Sequence, residues 1–197
     1  MMLEMKMRIK KYLTRCATLM IICCALLLTC TMTLAAASVS DEAEARNVAQ
    51  EVFSQLKSGQ YGALYDRLPA ASRERISRER FTSALRRTQD MYKLDRLEIG
   101  AVRVSGNMAV VDTVMYGRLL RPVESEGKIA AQQYLVREDG QWRVATGDRA
   151  TVRRFLAANP KFAKKFSIRE PRVYMKRDGR WVDVTGALKT AVRRRVK

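Results

Sequence analysis

The period of the apolar residues changes at Leu94, and that change constrains what the chain can build. Before it, apolar side chains recur every three or four positions; after it, they recur every second position. The first pattern is that of a helix with one buried face, and the second that of a half-buried strand. Ala45, Val48, Ala49, Val52, Phe53 and Leu56 share one helical face, opened by Ser40-Asp41-Glu42 and closed by Gly59. Ser40 is the expected N-cap, with acids in the first turn, where the helix dipole favours them. Tyr61, Leu64, Tyr65 and Leu68 follow. Ser77 is then expected to cap a helix carrying Phe81, Leu85 and Met91.

Beyond Leu94, Leu97 to Val104 alternates, Ser105-Gly106-Asn107 turns, and Met108 to Leu120 is a long strand. Arg121-Pro122 and Glu124-Ser125-Glu126-Gly127 form a polar break before a strand from Ile129 to Arg137. Glu138-Asp139-Gly140 turns that strand, and Gln141 to Ala145 runs back. With Gly140 in the left-handed position of a bulged turn, Tyr134 and Val136 share a face with Trp142 and Val144, and that face packs on the helices. Helices followed by an antiparallel meander define an α+β fold, with N-terminal helices packed on a strongly curved antiparallel sheet.

This order resembles the nuclear-transport-factor-2-like superfamily, in particular its small secreted bacterial members, over about residues 40–147. The resemblance is carried by the helix ending in Leu56-Lys57-Ser58-Gly59-Gln60-Tyr61, then Leu64-Tyr65-Asp66 and Ile76-Ser77-Arg78-Glu79-Arg80-Phe81. Its closing element is Leu135-Val136-Arg137-Glu138-Asp139-Gly140-Gln141-Trp142-Arg143-Val144. It implies a cone, with helices packed into a bent sheet and a pocket at the open end, and a superfamily that often dimerises through the sheet. It implies no single function, since isomerases, dehydratases, ligand binders and catalytically silent domains share the fold.

The chain divides by composition into 1–37, 38–147 and 148–197. Residues 1–16 carry five basic residues against Glu4, 17–37 carry no charge, and Ala35-Ala36-Ala37 precedes Ser38. A basic start, an apolar stretch and a small-residue exit describe a signal peptide cleaved near Ala37-Ser38, which places the chain in the periplasm or outside the cell. Two other readings stay open: a membrane anchor over 17–37, and a lipoprotein cleavage before Cys30. All four cysteines lie before Ser38, so cleavage leaves a chain without thiols. There is no histidine anywhere, which excludes Ser-His-Asp and Cys-His catalysis and His-ligated metal.

The charge of +18 is unevenly placed. Residues 38–146 hold 17 basic and 15 acidic residues, whereas 147–197 hold 16 basic and four acidic. This basic extension is expected to contain a helix from Thr151 to Ala158, an interruption at Asn159-Pro160, and a hairpin around Arg177-Asp178-Gly179 that extends the body's sheet or covers one face. Its last residues are expected to fray. Arg137-Glu138-Asp139-Gly140-Gln141-Trp142 is echoed 39 residues later by Lys176-Arg177-Asp178-Gly179-Arg180-Trp181. Two readings of the echo stand: a duplicated element, or convergence on the commonest hairpin turn.

Candidate chemistry is sparse. On the strand from Met108 to Tyr116, alternation puts Val110, Asp112, Val114 and Tyr116 on one face. If that face lines the cone, burial raises the Asp112 pKa towards that of a general base. Tyr116 or Tyr65 then supplies a hydrogen bond to an oxyanion, in outline the ketosteroid-isomerase plan. The competing reading pairs Asp112 with an arginine of a neighbouring strand. Glu124 and Glu126 lack further oxygen ligands nearby, so no metal site is expected, and no phosphate loop or cofactor motif is present. Arg153, Arg154, Lys161, Lys164, Lys165, Arg193, Arg194 and Arg195 are the candidates for contact with an anionic surface, with Phe155, Phe162 and Phe166 as apolar anchors or as core. The expected activity is that of a non-enzymatic accessory protein that binds a small apolar ligand or a protein partner. The basic tail contacts anionic lipid or an acidic protein; nucleic acid is disfavoured, and a homodimer is compatible.

Overall fold

The computed structural model describes residues 39–121, 124–145 and 149–195. The chain divides into two units, Met1–Asp41 and Glu42–Lys197. Of the first, only 39–41 are described, and they are helical. Ser40 therefore lies inside a helix and does not cap one. The expected signal peptide falls outside the described residues. Among those described, no helix is long and apolar enough to cross a membrane.

The second unit is α+β. Its helices come first: α1 (42–57), α2 (Tyr61–Asp66), α3 (Ala70–Arg73), α4 (Arg78–Arg86) and a 3-10 turn at Gln89–Met91. Ser77 caps α4 as expected, its hydroxyl accepting from the Arg80 amide at 3.3 Å. The helix stops at Arg86, and Met91 belongs to the 3-10 turn. The strands follow: β1 (Tyr92–Ser105), β2 (Met108–Leu119), β3 (Ser125–Glu138) and β4 (Gln141–Ala145). Then come α5 (Arg149–Ala158), α6 (Lys161–Lys165), β5 (Arg172–Arg177), β6 (Arg180–Asp183) and α7 (Thr185–Arg195). α7 is helical to Arg195, through residues expected to fray.

All six strands form one antiparallel sheet in the order β1-β2-β3-β5-β6, with β4 also on β3. The length of β3 makes this possible. Its second half pairs β4 over Tyr134–Glu138, and its first half pairs β5 over Gly127–Ala130. The polar stretch Ser125-Glu126-Gly127, expected as a break, is strand, because β5 arrives to pair it and Lys176 meets Glu126 at 3.0 Å. The basic extension thus supplies two strands to the sheet.

Each face of the sheet has its own core. Ala109, Val111, Leu135, Trp142 and Val144 pack against Ala45, Val48, Ala49 and Val52 of α1 and Leu64 of α2. On the other face, Met108, Val110, Tyr134 and Ala145 pack against Phe155, Phe162 and Phe166. The pairing of Leu135 with Val144 and of Arg137 with Trp142 corrects the expected face assignment. Both Asp139 (φ 50°) and Gly140 (φ 74°) are left-handed. That is a two-residue type I′ turn without a bulge. The register therefore shifts by one residue, and Tyr134 and Val136 face away from α1–α4.

One strand glycine is forced by packing. A Cβ on Gly117 would stand 2.5 Å from the Lys93 carbonyl oxygen, where the β1–β2 register shifts between Leu94 and Arg96. Only glycine lets the two backbones approach at this irregularity.

Candidate functional site

The alternation of β2 does bring Val110, Asp112, Val114 and Tyr116 to one face, but it is the face opposite α1–α4. Val111 and Ala109 take the helical side because they are the residues buried there. The space between α1–α4 and the sheet holds Trp142, Leu64, Phe81 and Leu85 among its packed side chains. The open space lies behind the sheet, in a groove of about 1190 Å³ between its face, the segment leading into β5 and the start of α7.

Asp112 lies within this groove, its side chain 22% exposed. Its Oδ1 accepts from Arg103 of β1 at 2.8 Å and from Gln132 of β3 at 3.2 Å. Its Oδ2 meets Arg169 at 2.5 Å. Burial pushes the carboxyl up, but hydrogen bonds from Arg169 and Gln132 and the charge of Arg103 outweigh it, so it sits below the usual carboxylate range. The pairing with Arg103 of neighbouring β1 is the competing reading of Asp112, and the raised pKa expected for a face lining the cone is not found. A carboxylate held ionised between two guanidiniums has little tendency to take up a proton.

Tyr116 is four residues along the same strand, about 13 Å away at the usual rise. Its hydroxyl donates to Glu98 at 2.9 Å, and Arg96 stacks 3.5 Å from its ring centre. The hydrogen bond to Glu98 raises its pKa. Lys128 reaches over Tyr116, Tyr174 and Trp181 at 5.7, 5.3 and 4.6 Å. Tyr65 belongs to the helical layer. Its hydroxyl lies 3.0 and 3.1 Å from the carbonyls of Ile76 and Arg73 and pins the loop before α4. The three candidate catalytic side chains therefore do not converge on one reacting atom.

The tail candidates separate into two kinds. Phe155, Phe162 and Phe166 are buried, with ring centres 5.3 Å (Phe155–Phe162) and 5.7 Å (Phe162–Phe166) apart. They are core, not membrane anchors. Arg153, Arg154, Lys161, Lys164 and Lys165 point outward from α5 and α6. None of these five has an ion pair among the described residues, and 149–165 contains no acid. Arg193, Arg194 and Arg195 lie on α7, with side chains outside the described ones. Among the described residues, no three metal-ligating side chains come together; Glu126 is engaged by Lys176.

Arg169 and the segment carrying it were missed by the sequence reading. Gln132 locks that segment to β3 where neither β4 nor β5 pairs it, accepting from the Arg169 amide at 2.7 Å and donating to the Ser167 carbonyl at 3.0 Å. The available signal was Gln132-Gln133 interrupting the apolar run from Ile129 to Val136. No protein-family model matches the chain, and no curated protein matches it.

Proposed function

We propose that this is an exported, non-enzymatic accessory protein of the cone-forming nuclear-transport-factor-2-like type, which docks on anionic lipid through α5 and α6. The export reading rests on the tripartite segment 1–37. The superfamily reading is supported by helices packed on one face of a long-stranded antiparallel sheet. In that reading the helical side is a filled scaffold and contact is made at the surface.

The observation that carries the docking is the outer face of α5–α6: five exposed cations without counter-ions among the described residues, over a phenylalanine core that holds them in place. Each cation near an anionic surface contributes about 1 kcal/mol. A protein partner would call for an apolar centre ringed by polar groups, whereas the rings here are turned inward. The face fits a diffuse anionic surface, bound by charge and not by insertion.

The test compares the full chain with its Lys161→Glu/Lys164→Glu/Lys165→Glu variant on vesicles of neutral lipid, with and without anionic lipid. The expected result is binding only to anionic vesicles, weakened by salt and lost in the variant. Equal binding to neutral vesicles, or by the variant, overturns the reading. Binding to polyglutamate with none to anionic vesicles replaces lipid with an acidic protein partner. N-terminal sequencing of exported protein should begin near Ser38; an intact Met1 replaces cleavage with an anchor.

A further inference from the structure

The groove behind the sheet is separate from the α5–α6 face. We propose that it is a binding site for a small aromatic or other flat organic anion, a carboxylate or a phosphate ester, recognised by Arg169 and Arg172.

The shape of the groove follows from its floor. Gly100 and Ala101 of β1, Val114 of β2 and Ala130 of β3 all line it. Small side chains on three adjacent strands leave an open bed against which an apolar body can lie. A Cβ added at Gly100 would come within 3.5 Å of the Asp112 Cβ and begin to fill it. One wall is the segment carrying Arg169 and Arg172, and the other is the start of α7 with Thr185 and Lys189.

The sign of the ligand follows from which charges are already engaged. The acids are taken. Glu98 accepts from Tyr116 and Arg96 at 2.9 and 3.0 Å. Asp183 accepts from the Thr185 amide at 2.9 Å, and Glu170 meets Lys189 at 2.6 Å. Asp112 answers Arg103 and Arg169 with a single charge, so this group of three carries one net positive charge, with Arg169 on the groove side. The guanidiniums have donors to spare. The Arg169 side chain is 59% exposed, and Asp112 is its ion-pair partner among the described residues. The Arg172 side chain is 67% exposed, and its counter-ion among the described residues, Asp183, stands 4.0 Å off, beyond hydrogen-bond reach. A guanidinium offers five donors in a planar fork that matches a carboxylate or phosphate. Arg169 is preset for that role, because Asp112 and Gln132 fix its head and its backbone.

The experiment is calorimetric titration of the full chain with benzoate, phenyl phosphate and benzylamine. Benzoate and phenyl phosphate should bind and benzylamine should not; the tighter anion assigns the headgroup. Arg172→Ala should weaken the anions about tenfold, as expected for one charge-assisted hydrogen bond, and Arg172→Lys should recover part of the loss. Ala130→Leu, which fills the floor and leaves every charge, should weaken both anions. Lys161→Glu/Lys164→Glu/Lys165→Glu should leave them unchanged, so failure of the lipid reading and failure of this one are distinguishable. Circular dichroism establishes that each variant is folded. The proposal is overturned if neither anion binds at millimolar concentration, if benzylamine binds as well, or if folded Arg172→Ala and Ala130→Leu bind as the wild type does.

Discussion

The two Asp-Gly hairpins start from nearly the same sequence and end in different surroundings. Asp139-Gly140 and Asp178-Gly179 adopt the same left-handed pair of angles, and Trp142 and Trp181 occupy equivalent positions opposite Arg137 and Lys176. Trp142 is 1% exposed, under α1 and α2, whereas Trp181 is 37% exposed. The edges differ in the same way. The Val144 amide of β4 bonds the Arg67 carbonyl at the end of α2, and Arg143 bonds the Asp66 carbonyl, both at 2.8 Å. β6 has no such partner on its outer edge among the described residues. The far edge of the sheet is covered too, where Arg46 and Lys57 of α1 bond carbonyls of β1. The turn sets register, and the helical layer decides which hairpin becomes core.

Truncation of the two tryptophans should separate the hairpins most sharply. Trp142→Ala should cost about 3–5 kcal/mol, the usual loss for a buried aromatic, read by urea unfolding. A loss below 1 kcal/mol, on the scale of ordinary surface changes, would mean that the first hairpin is not the core element its burial indicates.

Asp112 ties the segment entering the second hairpin to the middle of the sheet, so Asp112→Asn should cost about 1–3 kcal/mol by leaving two guanidiniums without a counter-charge. The folded-state pKa of Asp112 is depressed. Its contribution is therefore present above the unfolded value of about 4 and lost as pH falls through the folded one. Stability measured against pH should decline less steeply below about pH 5 in the variant than in the wild type. An unchanged slope would remove Asp112 from the fastening of the second hairpin.

Gly140→Ala and Gly179→Ala should each cost about 1–2 kcal/mol, the penalty for a left-handed side chain. Nothing lies within 4 Å of either site, so the two losses should agree. A large difference would show that surroundings and not turn chemistry hold the hairpins. The smallest effect belongs to Trp181→Ala, about 1 kcal/mol, because it removes a half-exposed ring, its contact with Lys128 and its edge contact with Tyr116. Acrylamide quenching should find Trp181 accessible and Trp142 protected; equal quenching would erase the contrast.

Much of the fold was legible because it is local. The period change at Leu94, the Ser77 cap, both Asp-Gly turns and the interruption at Asn159-Pro160 each depend on a few neighbouring residues. Faces were less legible. Trp142 and Val144 meet the helices as expected, whereas the expected face for Tyr134 and Val136 failed because one residue more or less in a turn inverts a strand, and Asp139 joined Gly140 in the left-handed region. The Asp112 region was half legible. Alternation placed Asp112 and Tyr116 together, while Arg103, Gln132 and Arg169 came from three other segments and reversed the sign of the pKa shift.

By itself, then, the sequence determined the helices-then-strands order of the body, the places of both Asp-Gly turns and the concentration of positive charge after Thr146. These follow from periodicity and short-range backbone preference. The tertiary structure alone decided which face of β2 meets the helices, that β3 shares its edge between β4 and β5, and that the tail phenylalanines point inward while Lys161, Lys164 and Lys165 stay exposed without an ion pair among the described residues. Those outcomes depend on which distant surfaces pack together, and burial of apolar area has no direction that a single strand or helix can specify in advance.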